Sequence, residues 1–143
     1  MIKSSVLFLC THNSARSQMA EGLLRHLAGD GFEVHSAGTE ATSVKPEAIA
    51  VMAEVGADVS GQESKTLERY LGEPFEYVIT VCDAANEACP VFPGAKERLH
   101  WSLPDPSSVT GEGEERMEAF RSVRGRIRTL IGSELLDWNG ESG

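Results

Sequence analysis

The segment that most constrains this chain lies near its start. Val6-Leu7-Phe8-Leu9 is apolar at every position. It runs directly into Cys10-Thr11-His12-Asn13-Ser14-Ala15-Arg16-Ser17, and Met19, Ala20, Leu23, Leu24 and Leu27 follow at helical spacing. A strand with no polar face needs cover on both sides, which a parallel sheet between helices supplies. Parallel strands in turn need crossover connections, usually helices. The first thirty residues therefore predict strand, tight loop and a helix over about 17–28, stopped by Gly29-Asp30-Gly31.

The rest of the chain repeats the alternation. Residues 32–36 read as a strand with Phe32, Val34 and Ser36 on one face. Pro46 opens a helix whose stripe is Ile49, Met52 and Ala53 and which Gly56 ends. Ser64–Leu71 reads as a third helix, and the β-branched run Tyr77–Val81 as a central strand ending at Cys82. Arg98–Trp101 reads as a further strand. A last helix over about 113–136 carries Met117, Phe120, Val123, Ile127, Leu130 and Ile131. Its charge-rich stretch 112–128 reads as a solvated face, and Trp101 and Phe120 as core. The expectation is a single α/β domain over 1–137, with helices on both faces of a parallel sheet and a frayed polar tail at 138–143.

Composition narrows the function classes. With 13 Lys+Arg against 22 Asp+Glu, the net charge of −9 disfavours broad binding to nucleic acid or anionic membrane. No apolar run approaches the roughly 20 residues of a membrane span. The run at 6–9 is too brief for a signal-peptide core, so the expected location is the cytoplasm. Three cysteines, Cys10, Cys82 and Cys89, argue against a disulfide framework in a reducing compartment, and the scattered histidines show no metal-ligand spacing. The thiols are then either buried small hydrophobes or chemically active.

In open α/β sheets ligands bind beyond the carboxyl ends of the strands, and Cys10 and Cys82 both fall at such ends. Two strand-end thiols can face one crevice. Cys10 and Arg16 form a Cys-x5-Arg pair closing a turn into a helix. Such a loop can turn successive N–H groups onto a tetrahedral oxyanion, with the helix N-terminus and a bidentate Arg16 adding positive potential. The bare pair is a weak signal; a strand before it and a helix after it make it specific. The same field predicts a mostly ionised Cys10. Ser17 is placed to donate to its sulfur, and Asn13 to hold the loop through side-chain bonds in a left-handed conformation.

These residues carry a resemblance. Val6 through Glu21, Ser36-Ala37-Gly38-Thr39, Thr80-Val81-Cys82 with Cys89-Pro90, and Asp105-Pro106 resemble the low-molecular-weight phosphatase-like proteins. Among those the chain is most similar to the thioredoxin-coupled arsenate reductases. The resemblance implies a three-layer fold with a four-stranded parallel sheet flanked by helices. It implies that Cys10 attacks arsenate held by Arg16 and the backbone of Thr11, His12, Asn13, Ser14, Ala15 and Arg16, while Asp105 protonates the departing oxygen. Cys82 then attacks the Cys10–arsenic adduct, Cys89 resolves the resulting disulfide, and thioredoxin reduces Cys82–Cys89. It implies no cofactor, arsenic detoxification as the task, a monomer, and a weak phosphatase side activity. Were residues 84–88 helical, Cys82 and Cys89 would lie roughly 10 Å apart along the axis, beyond disulfide reach, so that segment would unwind on oxidation.

Some members of that family bind potassium through positions matching Asn13, Glu21 and Ser36 plus an acidic residue where this chain has Lys65. The expectation here is that the Lys65 ammonium replaces the ion, pairing with Glu21 and bracing Asn13. Three rivals remain at this level. A tyrosine phosphatase of the family would carry a tyrosine after its Asp-Pro, where this chain has Ser107. A non-enzymatic oxyanion-binding module would bind without turnover. A reductase served by a small thiol would need fewer cysteines.

Overall fold

The structure is a computed structural model and describes residues 4–82, 95–109, 111 and 113–136. Four parallel strands, β1 (Ser4–Cys10), β2 (Phe32–Gly38), β3 (Tyr77–Thr80) and β4 (Glu97–His100), stand in the order β2-β1-β3-β4. Among the described residues three α-helices accompany them: α1 (Arg16–Ala28), α2 (Pro46–Ala53) and α3 (Glu114–Leu130), the last continued by a π-helical turn over Ile131–Leu135. This is the three-layer, four-stranded parallel α/β fold expected from the resemblance.

β1 holds the centre because Val6, Leu7, Phe8 and Leu9 are all fully buried. Its residues alternate between two cores. Val6, Phe8 and Cys10 face Met19, Leu23 and Leu24 of α1, Val51 and Met52 of α2, and Phe120, Val123 and Ile127 of α3. Leu7 and Leu9 face the other way, onto Tyr70, Phe75 and Val78. Each such side chain withdrawn from water contributes about 1.5–3 kcal/mol, so this strand is the most costly to disturb. Trp101 and Phe120 lie in the first core, and the Trp101 ring sits 5.6 Å from that of Phe8.

Two expectations change. Ser64–Leu71 is not a helix: only Leu67–Tyr70 forms a turn of 3-10 helix, and the preceding residues are extended. Thr66 bridges Gly38 in parallel, Gly38 donates to the Lys65 carbonyl at 2.8 Å, and the Lys65 amide donates to Asn13 Oδ1 at 2.8 Å. Backbone groups engaged by β2 and the Cys10 loop cannot close helical bonds. The charge-rich face of α3 is also more than solvated. Arg116 reaches Glu47, while Arg121 and Arg124 reach Glu54, so that α3 is strapped along α2.

Because all four strands run the same way, their carboxyl ends share one edge of the sheet. That edge collects Cys10 after β1, Gly38 after β2, Cys82 after β3 and Asp105 after β4. No described helix is long and apolar enough to cross a membrane. The tail at 138–143 lies outside the described residues.

Candidate active site

The loop between β1 and α1 is shaped from outside. The Thr11 carbonyl accepts from the Glu40 amide and Thr39 Oγ1, and that of His12 from Thr42 Oγ1 and Ser64 Oγ. The Asn13 carbonyl accepts from Gln18 Nε2, and that of Ser14 from the Lys45 amide. In a trans peptide the N–H points opposite to the C=O, so four carbonyls drawn outward turn the next four amides inward. Asn13 makes the bend possible with φ at 48°, the left-handed region where Asn is tolerated. Its buried side chain donates to Ser17 Oγ and Ser36 Oγ and accepts from Gln18 and Lys65. At the first turn of α1 no side chain caps the helix and no acidic residue stands there, so its N–H groups face the same space.

That space is a cavity of about 320 Å³ lined by Cys10, Arg16, Asp105 and Ser107, with His12, Ser14 and Ala15 from the loop and Thr42, Ser43 and Lys45 from beyond β2. Arg16 is nearly buried; its Nη1 donates to the Leu103 carbonyl at 3.0 Å and its Nη2 stands 3.8 Å from Asp105 Oδ2. Asp105 Oδ1 is occupied by the Ser107 amide at 2.9 Å and the Ser107 hydroxyl at 2.6 Å. Burial pushes this carboxyl up, but the Ser107 hydroxyl and amide, then Arg16 and His12, outweigh it and hold the group below its ordinary range.

Cys10 and Cys82 are both buried beyond neighbouring strands, and Thr11 Oγ1 lies 3.3 Å from the Cys82 sulfur. The neighbouring Cys82 thiol and burial push the Cys10 thiol up, against the pull of Arg16 and the Thr11 amide. The expectation of a mostly ionised Cys10 rested on Arg16 and the loop amides alone; the buried Cys82 thiol opposes them, and the two thiols hold one negative charge between them at most. The Ser17 hydroxyl accepts from Asn13 Nδ2 at 2.8 Å. Cys89 and residues 84–88 lie outside the described residues, so their expected helix and unwinding do too.

Behind the loop, Glu21 is buried and fully engaged. One oxygen accepts from Ser36 Oγ at 2.5 Å with the Lys65 ammonium 3.7 Å away; the other is held by Arg25 at 2.5 Å. Lys65 Nζ also donates to the Glu63 carbonyl at 2.8 Å. A buried carboxylate is tolerable only with such partners. Asn13, Ser36, Glu21 and Lys65 thus form one connected polar core beneath the loop. Among the described residues no group of three His, Cys, Asp or Glu could hold a metal ion.

The sequence reading did not single out Gln18, Lys45, Thr42 or Ser43. The last three follow the end of β2 and precede Pro46, so the strand-end rule applied to β2 as well as to β1 and β3 would have found them. The His12 side chain, to which no role was given beyond its backbone, is half-exposed and pairs with Glu40 at 3.4 Å.

An oxyanion cradle with a thiol at its base and an arginine and an aspartate at its walls defines a class of protein, and the sequence comparison agrees. Residues 5–137 match the low molecular weight phosphotyrosine protein phosphatase family, and the chain belongs to it. Within that family it is 45% identical to an arsenate reductase of Halalkalibacterium halodurans over 131 residues, 92% of this chain and 94% of the relative. Among solved structures it is similar to an arsenate reductase in its phosphate-binding state, with a TM-score of 0.80 and 35% identity, covering 91% of this chain and 95% of that one. A thioredoxin-dependent arsenate reductase of Corynebacterium glutamicum gives a TM-score of 0.67 at 34% identity, covering 94% of this chain and 63% of that one.

Proposed function

We propose that this chain reduces arsenate to arsenite by a relay through Cys10, Cys82 and Cys89, with thioredoxin as the reductant. The observation that carries the reading is a second buried thiol, Cys82, which follows the strand paired with β1 and lies 3.3 Å from Thr11 Oγ1 of the Cys10 loop. A phosphatase needs one nucleophilic thiol and a water; a second thiol beside the first serves disulfide formation. The arsenate reductases among the chain's relatives support the same substrate.

Arsenate sits on the inward amides of the loop with Arg16 on its oxygens. As the oxyanion binds beside Asp105, its charge favours the protonated carboxyl, and Oδ2, left open by Ser107, carries that proton. The shared charge of the thiol pair resides on Cys10 as it attacks. An As–S bond forms, an As–O bond breaks, and the departing oxygen takes the Asp105 proton. Cys82 then attacks Cys10 Sγ: an S–S bond forms, the S–As bond breaks, and its electron pair stays on arsenic as arsenite. Cys89 attacks Cys82, which frees Cys10, and thioredoxin reduces Cys82–Cys89. Lys65 beside Glu21 takes the place of a potassium ion under the loop.

The test is arsenate-dependent NADPH oxidation with thioredoxin and thioredoxin reductase present, in potassium and in sodium at equal ionic strength. Turnover that disappears in Cys89→Ser, at equal rates in the two salts, is the expected result. Hydrolysis of an aryl phosphate without arsenate-dependent turnover would make the chain a phosphatase. Binding with neither activity would make it an oxyanion-binding module, and a several-fold stimulation by potassium would remove the role of Lys65.

A further inference from the structure

The oxyanion cavity has two cationic side chains in its walls, and the reaction described above uses only one. Arg16 is already engaged, with one nitrogen on the Leu103 carbonyl and another 3.8 Å from the Asp105 carboxylate. Lys45 lines the same cavity beside Thr42 and Ser43. Its backbone is fixed there: its amide donates to the Ser14 carbonyl of the loop at 2.9 Å, its carbonyl accepts from Ile49 at 3.1 Å, and Pro46 follows as the first residue of α2. Among the described residues its ammonium makes no ion pair. Glu47, two residues on, feels its charge but is bonded by Arg116 at 2.5 Å, and Glu40 faces His12.

The charge balance of the cavity leaves Lys45 a task. With Asp105 protonated beside the bound oxyanion, Arg16 supplies one positive charge and the loop amides with the helix N-terminus about half of another. A doubly charged tetrahedral oxyanion remains under-compensated by about half a charge, inside a molecule whose net charge of −9 repels it at long range. A strongly hydrated ammonium on a flexible four-carbon stem can meet an outer oxygen of the ligand while Arg16 and the amides hold the inner ones. We propose that Lys45 is a substrate-binding residue: it supplies the second charge for a dianionic tetrahedral oxyanion and makes the cavity prefer dianions over monoanions of similar size.

The inference rests on reading the cavity as an oxyanion site, and calorimetric binding of inorganic phosphate separates the two claims. Lys45→Met weakens phosphate about tenfold, as expected for one charge-assisted contact, and flattens the salt dependence. Lys45→Arg restores most of the affinity. Arg126→Gln, which removes the same charge from the exposed face of α3, leaves it unchanged. Sulfate, a tetrahedral dianion, loses more affinity than perchlorate, a tetrahedral monoanion, when Lys45 is replaced. In turnover, KM for arsenate rises more than kcat falls. Equal phosphate binding by the parent chain and Lys45→Met overturns the proposal, as does a loss matched by Arg126→Gln. Phosphate binding without arsenate turnover overturns only the reductase reading; a parent chain that binds no phosphate overturns both.

Discussion

At Asp105 the two carboxylate oxygens are made different by one neighbour. Ser107 takes Oδ1 with its amide and its hydroxyl and leaves Oδ2 facing Arg16. The tyrosine expected of a phosphatase at this position is absent, and the serine in its place bonds the carboxylate. The Ser107 hydroxyl stabilises the charged form, so Ser107→Ala moves the Asp105 ionisation upward, toward its ordinary range. Carbon-13 detection of the Asp105 carboxyl across pH checks this; an unchanged or lowered titration would show that Ser107 only shapes the turn. Much of the residue-scale site was legible in the sequence. Cys10, Asn13 and Arg16 sit together in seven positions between a strand and a helix, so their spacing states their geometry. Lys45 was not legible, because a lysine before a helix-opening proline reads as an ordinary solvated residue until the fold places it over the loop.

Among the elements, β2 does more than complete the sheet: its last residue is the floor on which the Cys10 loop rests. A Cβ at Gly38 would stand 2.6 Å from the Thr11 carbonyl, 2.8 Å from the Asn13 amide and 2.9 Å from the Cys10 carbonyl, all backbone atoms that cannot rotate aside. Gly38→Ala therefore lowers stability by about 1–3 kcal/mol, the usual range for overpacking, and also weakens phosphate binding. Urea unfolding with phosphate titration tests both; a variant that lost stability yet bound phosphate as before would separate the loop from its floor. The strands and three helices were readable because their apolar periods are regular. The segment around Lys65 and Thr66 was misread because its partners, Gly38 and Asn13, are remote in sequence and its own residues are polar. Local propensity had nothing to oppose it there.

Over the whole molecule the surplus of acidic groups is partly organised. Arg121 joins Glu54, Glu114 and Glu118, while Arg124 joins Glu54 and the Val51 carbonyl, so a cationic pair binds α3 to the end of α2. The hydrogen bonds from Arg121 and Arg124 hold the Glu54 carboxyl down at about 2, from 4.5. Its folded value is the lower one, so its contribution to stability is complete above pH 4.5 and is lost as the pH falls toward 2. Glu54→Gln is accordingly less stable than the parent at pH 7, and the gap closes through that window and shrinks in high salt. Urea midpoints across pH measure it; a gap independent of pH would assign the effect to packing alone.

The central strand, buried on both faces, delivers Cys10 and Arg16 to the edge of a sheet that tolerates little change. The segments 42–45 and 105–107, which close the cavity, hang from strand ends and carry almost none of the core. Heritable variation is therefore channelled: a descendant can exchange those two segments and acquire a new ligand preference while Cys10 and Arg16 stay where they were. A lineage built this way diversifies in what it grips far more readily than in how it reacts.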